Sequence, residues 1–368
     1  MREQVPIPVN DRKRWSAGRT ARTGHGRLAL LAAVVLSTSL AAASPGRAAA
    51  SGAAKSHTVP YWSPPAPTPP SPPTPRPTGR LVPARGALFG IHTLPDAATA
   101  TKPSDMGITS QEAQLGRRFD IDNHYYTWTQ SLPTWREKWD IQSGRIPLMS
   151  WMGGDTIEIA GGKFDGLIGQ RADAIKALGA PVFLRWFWEM DGTRASKSRV
   201  AHTPKDYIAA WRHMQAVFAA HGASNAVWVW CPVSLDFYHG TAQPFYPGDD
   251  AVDWICADGY DWAPGKPGAR YEPFQTLFQA FYDFGAAHHK PLMVGETGVQ
   301  ENNPGDKAKW LAAAHQAVEA HFPNVEAFLY FDVVGANANN FDWRVTTSAG
   351  AWSAFKDMAL DPYFNPRP

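Results

Sequence analysis

Cysteine is nearly absent from this sequence, with Cys231 and Cys256 as the two examples in 368 residues. Neither has the spacing of a zinc site, and no strand-like run carries the paired histidines that a metal on a barrel would need. His288-His289 precedes a strand-like run instead of ending one. We therefore expect no catalytic metal and no cofactor. A disulfide is the open alternative to two buried thiols, and we favour the thiols because Cβ directions on neighbouring strands often do not suit a bridge.

A hydrophobic run of membrane-spanning length is also missing. The run Leu28–Ala43 has about 16 residues, whereas a spanning helix needs about 20. It follows a basic leader and precedes the small residues Ala48-Ala49-Ala50, the pattern of a cleaved export signal. Residues 1–50 are predicted to be a signal peptide, so we expect a secreted protein without a membrane partner after cleavage. An uncleaved anchor is the alternative.

Excess positive charge is confined to this leader. The chain has 35 basic and 33 acidic residues, and residues 1–50 hold eight of the basic and two of the acidic ones. The remainder carries 27 basic and 31 acidic side chains, a net charge near −4. Recognition of nucleic acid needs a basic face, so we expect no nucleic-acid partner.

Proline is concentrated in one stretch. Ten of the eighteen residues 60–77 are proline, a composition that cannot form a packed core and favours an extended polyproline II spacer. We assign residues 51–84 to a Pro-rich linker and residues 85–368 to a single catalytic domain, which we expect to be monomeric.

Beyond residue 85, short apolar runs alternate with helix-length intervals, as in the amphipathic stretches 165–178 and 204–219. Eight such runs predict an α/β protein with a closed parallel sheet, a (β/α)8 TIM barrel. The predicted strands are Leu88–His92, Arg118–Ile121, Ile146–Trp151, Val182–Phe187, Ala226–Trp230, Val252–Ala257, Leu292–Gly295 and Ala327–Phe331.

Two of these runs lead into a glutamate, Glu189 after the fourth and Glu296 after the seventh. Function in such barrels gathers at the C-terminal ends of the strands. Period-two alternation predicts that Arg185, Phe187 and Glu189 point to the same side. Two carboxyl groups about 5–5.5 Å apart suit cleavage of a glycosidic bond with retention of configuration.

The neighbours of the two glutamates suggest different roles. Apolar surroundings favour a protonated acid, and Trp186 and Trp188 would supply them near Glu189. A cation or a hydrogen-bond donor favours an ionised nucleophile, which Arg185 and Tyr260 would provide for Glu296. We therefore expect Glu189 as general acid/base and Glu296 as nucleophile.

Several stretches together resemble glycoside hydrolase family 26, the β-mannanase family. They occur in order along the folded part of the chain and read RWFWEMDG from Arg185, YIAAWRH from Tyr207, VWVWCP from Val227, YPGDD from Tyr246, VDW from Val252, DGYDW from Asp258 and PLMVGETG from Pro291. The resemblance implies the same barrel, the same acid/base and nucleophile, and an endo-β-1,4-mannanase acting on a polysaccharide. It also implies that Arg185 and Tyr260 bond the nucleophile and that Trp230 and Trp262 line sugar subsites.

One departure from the family pattern concerns the residue before the acid/base, which is Trp188 where the family usually has histidine. This change leaves open a related β-glucanase, β-xylanase or exopolysaccharide hydrolase, or a carbohydrate-binding protein without activity. We place Trp188 among the substrate-binding residues. His92, at the end of the first strand, and Asp258, beside Tyr260, are further candidates for substrate contact.

Overall fold

The structure is a computed structural model that describes residues 78–95, 101–192, 200–335 and 341–366. Eight parallel strands pair in sequence order and close into a barrel. The prediction of an α/β fold with a (β/α)8 barrel is thereby confirmed. The strands are β1 (Leu88–Thr93), β2 (Ile121–Tyr126), β3 (Ile146–Trp151), β4 (Val182–Trp186), β5 (Ala226–Trp230), β6 (Trp254–Asp261), β7 (Leu292–Val299) and β8 (Val325–Asp332).

Helices fill the intervals between strands, and the two predicted amphipathic stretches are among them. Thr203 caps the second of these through a capping box with Asp206, and Pro204 occupies its first turn, a position where the missing N–H costs nothing. The α-helices are α1 (Gly107–Leu115), α2 (Trp135–Gln142), α3 (Thr156–Ala160), α4 (Asp165–Lys176), α5 (Pro204–Ala220), α6 (Ser234–His239), α7 (Phe274–Ala287), α8 (Asp306–Ala320) and α9 (Ala349–Leu360). Within the described ranges, no helix is both long and apolar enough to cross a bilayer.

Strand side chains alternate between two apolar layers. On β3, Leu148 points into the barrel while Met149 and Trp151 pack in the outer layer against the helices. The interior layer also contains Phe183, Trp254 and parts of the other strands. This alternation sets which residues reach the barrel mouth, because only inward positions can do so.

Strand β2 lies further along the chain than the sequence pattern predicts, at Ile121–Tyr126 instead of Arg118–Ile121. Its outward side chains are polar, so this stretch of the sequence does not resemble a buried strand. His124 Nε2 lies 2.7 Å from Asp140 Oδ2 of α2 and 3.6 Å from Asp122 Oδ2. Arg145 Nε donates to Asp140 Oδ1 at 2.8 Å. A buried ionic cluster thus takes the place of apolar packing between β2 and its helix.

The segment before β1 covers the bottom of the barrel. Leu81 and Val82 pack against the interior layer, and Trp254 Nε1 donates to the Arg80 carbonyl at 2.9 Å. Arg80 also pairs with Asp253 at 2.8 Å. Ordered packing therefore begins before residue 85, within the stretch assigned to the linker. The predicted signal peptide and the Pro-rich stretch 60–77 lie outside the described residues.

Cys231 and Cys256 form a disulfide, with their Cα atoms 4.3 Å apart. The expectation of two buried thiols is therefore wrong. Both side chains point into the barrel, so their Cβ directions converge where the sequence pattern left them undecided.

We expect the segment before β1 to stabilise the barrel. A chain that begins at Arg85 should unfold at a temperature about 5 °C lower than one that begins at Thr78, because it loses two half-buried apolar side chains, about 2 kcal/mol. Thermal unfolding followed by circular dichroism measures this difference. Equal midpoints would show that residues 78–84 contribute nothing to stability.

We expect His124 to make the stability depend on pH. Burial by itself would lower the pKa of His124, but the carboxylates of Asp122 and Asp140 outweigh burial and raise the pKa from 6.5 to about 10. A raised folded-state pKa stabilises the protein fully below pH 6.5, and this contribution is lost as the pH rises toward 10. Urea unfolding should therefore show the largest pH-dependent deficit of His124→Gln near pH 6 and a shrinking one toward pH 10. A deficit that does not change with pH would contradict this account.

Candidate active site

The end of β4 departs from simple alternation. Arg185 points into the barrel, but Phe187 packs in the outer layer with Tyr207, so the prediction that Arg185 and Phe187 share a side is wrong. Phe187 and Glu189 have left-handed backbone conformations, with φ of 48° and 53°. These turns break the two-residue period, and the Glu189 N–H donates to the Cys231 carbonyl at 2.8 Å.

Glu296 reaches the interior through a bulge in β7. Ala257 pairs with Val294 whereas Asp258 pairs with Glu296, so Gly295 is an extra residue between them. Without the bulge, Glu296 would point outward, because Met293, three positions earlier, points inward. A Cβ at Gly295 would overlap Cys256 Sγ and lie 2.7 Å from Asp258 Oδ1. Glycine therefore makes room for the Asp258 side chain.

Three carboxyl groups meet at the mouth of the barrel. One oxygen each of Glu189, Asp258 and Glu296 lie within 4.8 Å of one another. The Arg185 guanidinium bridges two of them, with Nη1 2.9 Å from Asp258 Oδ1 and Nη2 2.6 Å from Glu296 Oε1. Burial alone would lower the pKa of Arg185, but these carboxylates raise it above its ordinary value. Arg185 therefore stays charged.

Two phenols complete the surroundings of Glu296. Tyr260 donates to Oε2 and Tyr125 donates to Oε1, each at 2.6 Å. Burial, followed by the charge of Glu296, raises the pKa of both hydroxyls well above the ordinary value. Both tyrosines therefore keep their protons and remain donors.

Tyr125 is a site residue that the sequence pattern does not reveal. It lies on β2, one residue past the polar His124, in a stretch that does not resemble a strand. With the correct bounds of β2, the two-residue period would have placed Tyr125 on the same inward face as Asn123.

Among the predicted substrate contacts, Trp230 is a correction. It is fully buried and packs in the outer layer against Phe237, Tyr246 and Phe284. Side chains alternate along β5, and Val227 and Val229 point into the barrel. Trp230, one residue further on, therefore points outward. Trp186 is outward for the same reason and stacks on Tyr207, so it does not surround Glu189.

Arg185, Asp258 and His92 also lack the exposure that sugar contact needs. The side chains of Arg185 and Asp258 are 0% exposed and bind each other. Burial raises the pKa of Asp258, Arg185 opposes this, and the nearby glutamates add to the rise. His92 is 2% exposed, and its Nδ1 donates to the Asn123 carbonyl at 2.9 Å. In the structure these three residues contact protein groups.

Two predicted aromatic residues do border the site. The Trp188 ring lies 5.3 Å from the Tyr125 ring and 5.2 Å from Arg185 Cζ. Trp262 is half-buried beside Tyr260 and packs 5.1 Å from Phe341. Trp188 thus contacts two of the residues that bind Glu296, and Trp262 contacts the third.

This geometry defines a class of protein, a (β/α)8 barrel with two glutamates at its C-terminal mouth, one shortly after β4 and one in the second half of β7. Residues 156–286, which include Glu189 but not Glu296, match Glycosyl hydrolase family 26. The matched region belongs to this family.

Relatives of this chain include a protein named as an endoglucanase and a protein named as a mannosidase. Endoglucanase H of Acetivibrio thermocellus is 30% identical over 272 residues, 71% of this chain and 30% of that protein. Mannan endo-1,4-β-mannosidase A and B of Caldalkalibacillus mannanilyticus is 28% identical over 182 residues, 47% of this chain and 29% of that protein. The chain thus spans about a third of the length of these relatives. A GH26 β-mannanase structure from Bacteroides ovatus shares the fold, with a TM-score of 0.56 at 16% identity, covering 76% of this chain and 90% of that one.

We expect Gly295→Ala to disturb the site. The added methyl group would collide with Cys256 and crowd Asp258, which should cost about 1–3 kcal/mol of unfolding free energy. Urea unfolding measures the loss. Gly166→Ala in α4 is the matched control, since its added methyl group would meet nothing within 4 Å. An unchanged stability of Gly295→Ala would contradict the tight packing described.

Proposed function

We propose that the protein is a retaining glycoside hydrolase acting on β-linked polysaccharide, with Glu189 as general acid/base and Glu296 as nucleophile. The observation that carries this proposal is the approach of their carboxyl oxygens to within 4.8 Å. Retaining enzymes have carboxyl groups about 5–5.5 Å apart, whereas inverting enzymes need about 6.5–9.5 Å to hold a water between them.

The charge of the cluster supports the division of roles. Three carboxyl groups lie close together and two of them bind one guanidinium, and like charges this close favour a proton on one of the three. Glu296 accepts three hydrogen bonds, from Arg185, Tyr125 and Tyr260. Hydrogen bonds of this kind stabilise a carboxylate, which suits Glu296 as the nucleophile. The Asp258 side chain has no solvent exposure and cannot contact a substrate, so Glu189 is the remaining candidate for the acid/base.

The reaction then has two steps. In the first, a Glu296 oxygen attacks the anomeric carbon while Glu189 gives its proton to the departing glycosidic oxygen, which leaves a covalent glycosyl-enzyme. In the second, Glu189 takes a proton from water, the hydroxide oxygen bonds the anomeric carbon, and Glu296 is released. The configuration is inverted twice and so retained.

A β-1,4-mannan is the substrate we propose first, since the family resemblance and the mannosidase similarity both favour it. A β-glucan is the second candidate. Trp188 offers an apolar ring where the family usually has a histidine, and the endoglucanase similarity extends over more of the chain. We propose cleavage in the endo mode by a secreted monomer, which fits the predicted signal peptide.

Substitution of either glutamate should abolish hydrolysis. Glu189→Gln and Glu296→Gln should each lower kcat/KM by about 10³-fold, because each removes a group that acts in the transition state. Release of reducing ends from β-mannan, β-glucan and xylan measures this. Glu158→Gln is the control, since Glu158 is a surface residue paired with Lys163.

The stereochemical outcome and azide rescue test the individual roles. Proton NMR of the first product should show the β anomer. Azide should restore turnover to Glu296→Ala with an α-glycosyl azide product, and to Glu189→Ala with a β-glycosyl azide. An α first product would contradict retention. Binding without cleavage on every polysaccharide would favour a carbohydrate-binding protein.

A further inference from the structure

Five side chains, one of which is the proposed nucleophile Glu296, form a closed ring of hydrogen bonds. Arg185 Nε donates to Ser150 Oγ at 2.9 Å, and Ser150 Oγ lies 2.7 Å from Asn123 Oδ1. Asn123 Nδ2 donates to Tyr125 Oη at 2.9 Å. Tyr125 and Arg185 Nη2 then both donate to Glu296 Oε1 at 2.6 Å. The ring joins β2, β3, β4 and β7.

The donor and acceptor roles around this ring follow from the Arg185 guanidinium. The Arg185 Nε–H can only donate, so Ser150 accepts from it and has its own proton free for Asn123 Oδ1. The amide N–H of Asn123 then faces Tyr125, whose oxygen accepts it. The Tyr125 proton is left to donate to Glu296.

The opposite orientation of the Asn123 amide fails on hydrogen count. Its oxygen would face Tyr125, whose single proton cannot serve both Asn123 and Glu296. The Ser150 proton would have no acceptor within the ring. Arg185 Nη2 also approaches Tyr125 Oη at 3.5 Å, which adds a donor to that oxygen and again directs the Tyr125 proton toward Glu296.

We propose that Ser150 and Asn123 are positioning residues that direct the Tyr125 proton onto Glu296 and thereby keep this carboxylate ionised for attack. This inference rests on the proposed role of Glu296 as nucleophile. Neither residue touches a reacting atom, since Ser150 is 0% and Asn123 is 1% exposed. They act through Tyr125 and Arg185.

The surroundings of the two residues argue against a purely structural role. The inward neighbours along the same strands, Ile121 on β2 and Leu148 on β3, are apolar and pack in the barrel interior. Burying a polar side chain there costs free energy unless it is fully hydrogen-bonded. The side-chain hydrogen bonds of Ser150 and Asn123 lead to Glu296 through Arg185 and Tyr125.

The pair Ser150→Thr and Ser150→Val tests the hydroxyl, because the two side chains have nearly the same shape and strain the site equally. Ser150→Thr should retain most of the wild-type kcat/KM on soluble β-mannan or β-glucan, while Ser150→Val should be about 10-fold lower. The acid limb of the pH profile of kcat/KM should move to higher pH in Ser150→Val only. Equal rates and equal profiles in the two variants would overturn the proposal.

Asn123→Asp tests the direction of the ring with almost no change in shape. The new carboxylate oxygen would accept from Tyr125 and compete with Glu296 for its proton. The acid limb should move up by about one pH unit, further than in Ser150→Val. An unchanged profile would overturn the proposal.

Neutron diffraction of the perdeuterated protein separates this inference from the proposed function, because it needs no activity. A deuteron on Tyr125 Oη directed at Glu296, with the amide deuterons of Asn123 facing Tyr125, is the result expected. A Tyr125 deuteron directed at Asn123 would overturn the positioning role even in an active hydrolase. The expected deuterons in a protein that cleaves no polysaccharide would support the ring and reject the hydrolase.

Discussion

A buried cation holds the candidate site together. Arg185 has no solvent exposure and donates to both Asp258 and Glu296. A buried charge is unfavourable unless it is paired and hydrogen-bonded, and here two carboxylates and Ser150 satisfy the guanidinium. The same pairing allows Glu189 to approach two other carboxyl groups, which would otherwise repel one another. The same buried guanidinium therefore balances the charge of the cleft and satisfies the polar groups of the barrel interior.

Two local irregularities bring the glutamates to this cation. On β4, left-handed backbone at Phe187 and Glu189 ends the regular alternation. On β7, the bulge at Gly295 turns Glu296 inward. Regular strands would have directed at least Glu296 into the helical layer. Bulges and strained turns are frequent beside functional sites. They direct a side chain to a face of the sheet that regular two-residue alternation would not allow it to reach.

Much of the fold and part of the site are predictable from residue patterns. The eight apolar runs identify the barrel, and β3 and β5 have the bounds that their apolar residues predict. Tyr125 was missed because its strand is anchored by charged residues such as His124. Trp230 was misassigned because a position at a strand end does not say which layer the side chain enters. The disulfide was missed because two cysteines on neighbouring strands can converge or diverge.

The sequence by itself determined the alternation of strands and helices, the two glutamates at strand ends, and the family to which these motifs belong. These features are local, and short segments encode them. Only the tertiary structure decided which side chains share the barrel mouth, how Ser150 and Asn123 connect to Glu296, and where Arg185 finds its partners. The physical reason is that these contacts join strands far apart in the chain, and their geometry depends on barrel closure, strand register and the bulge at Gly295.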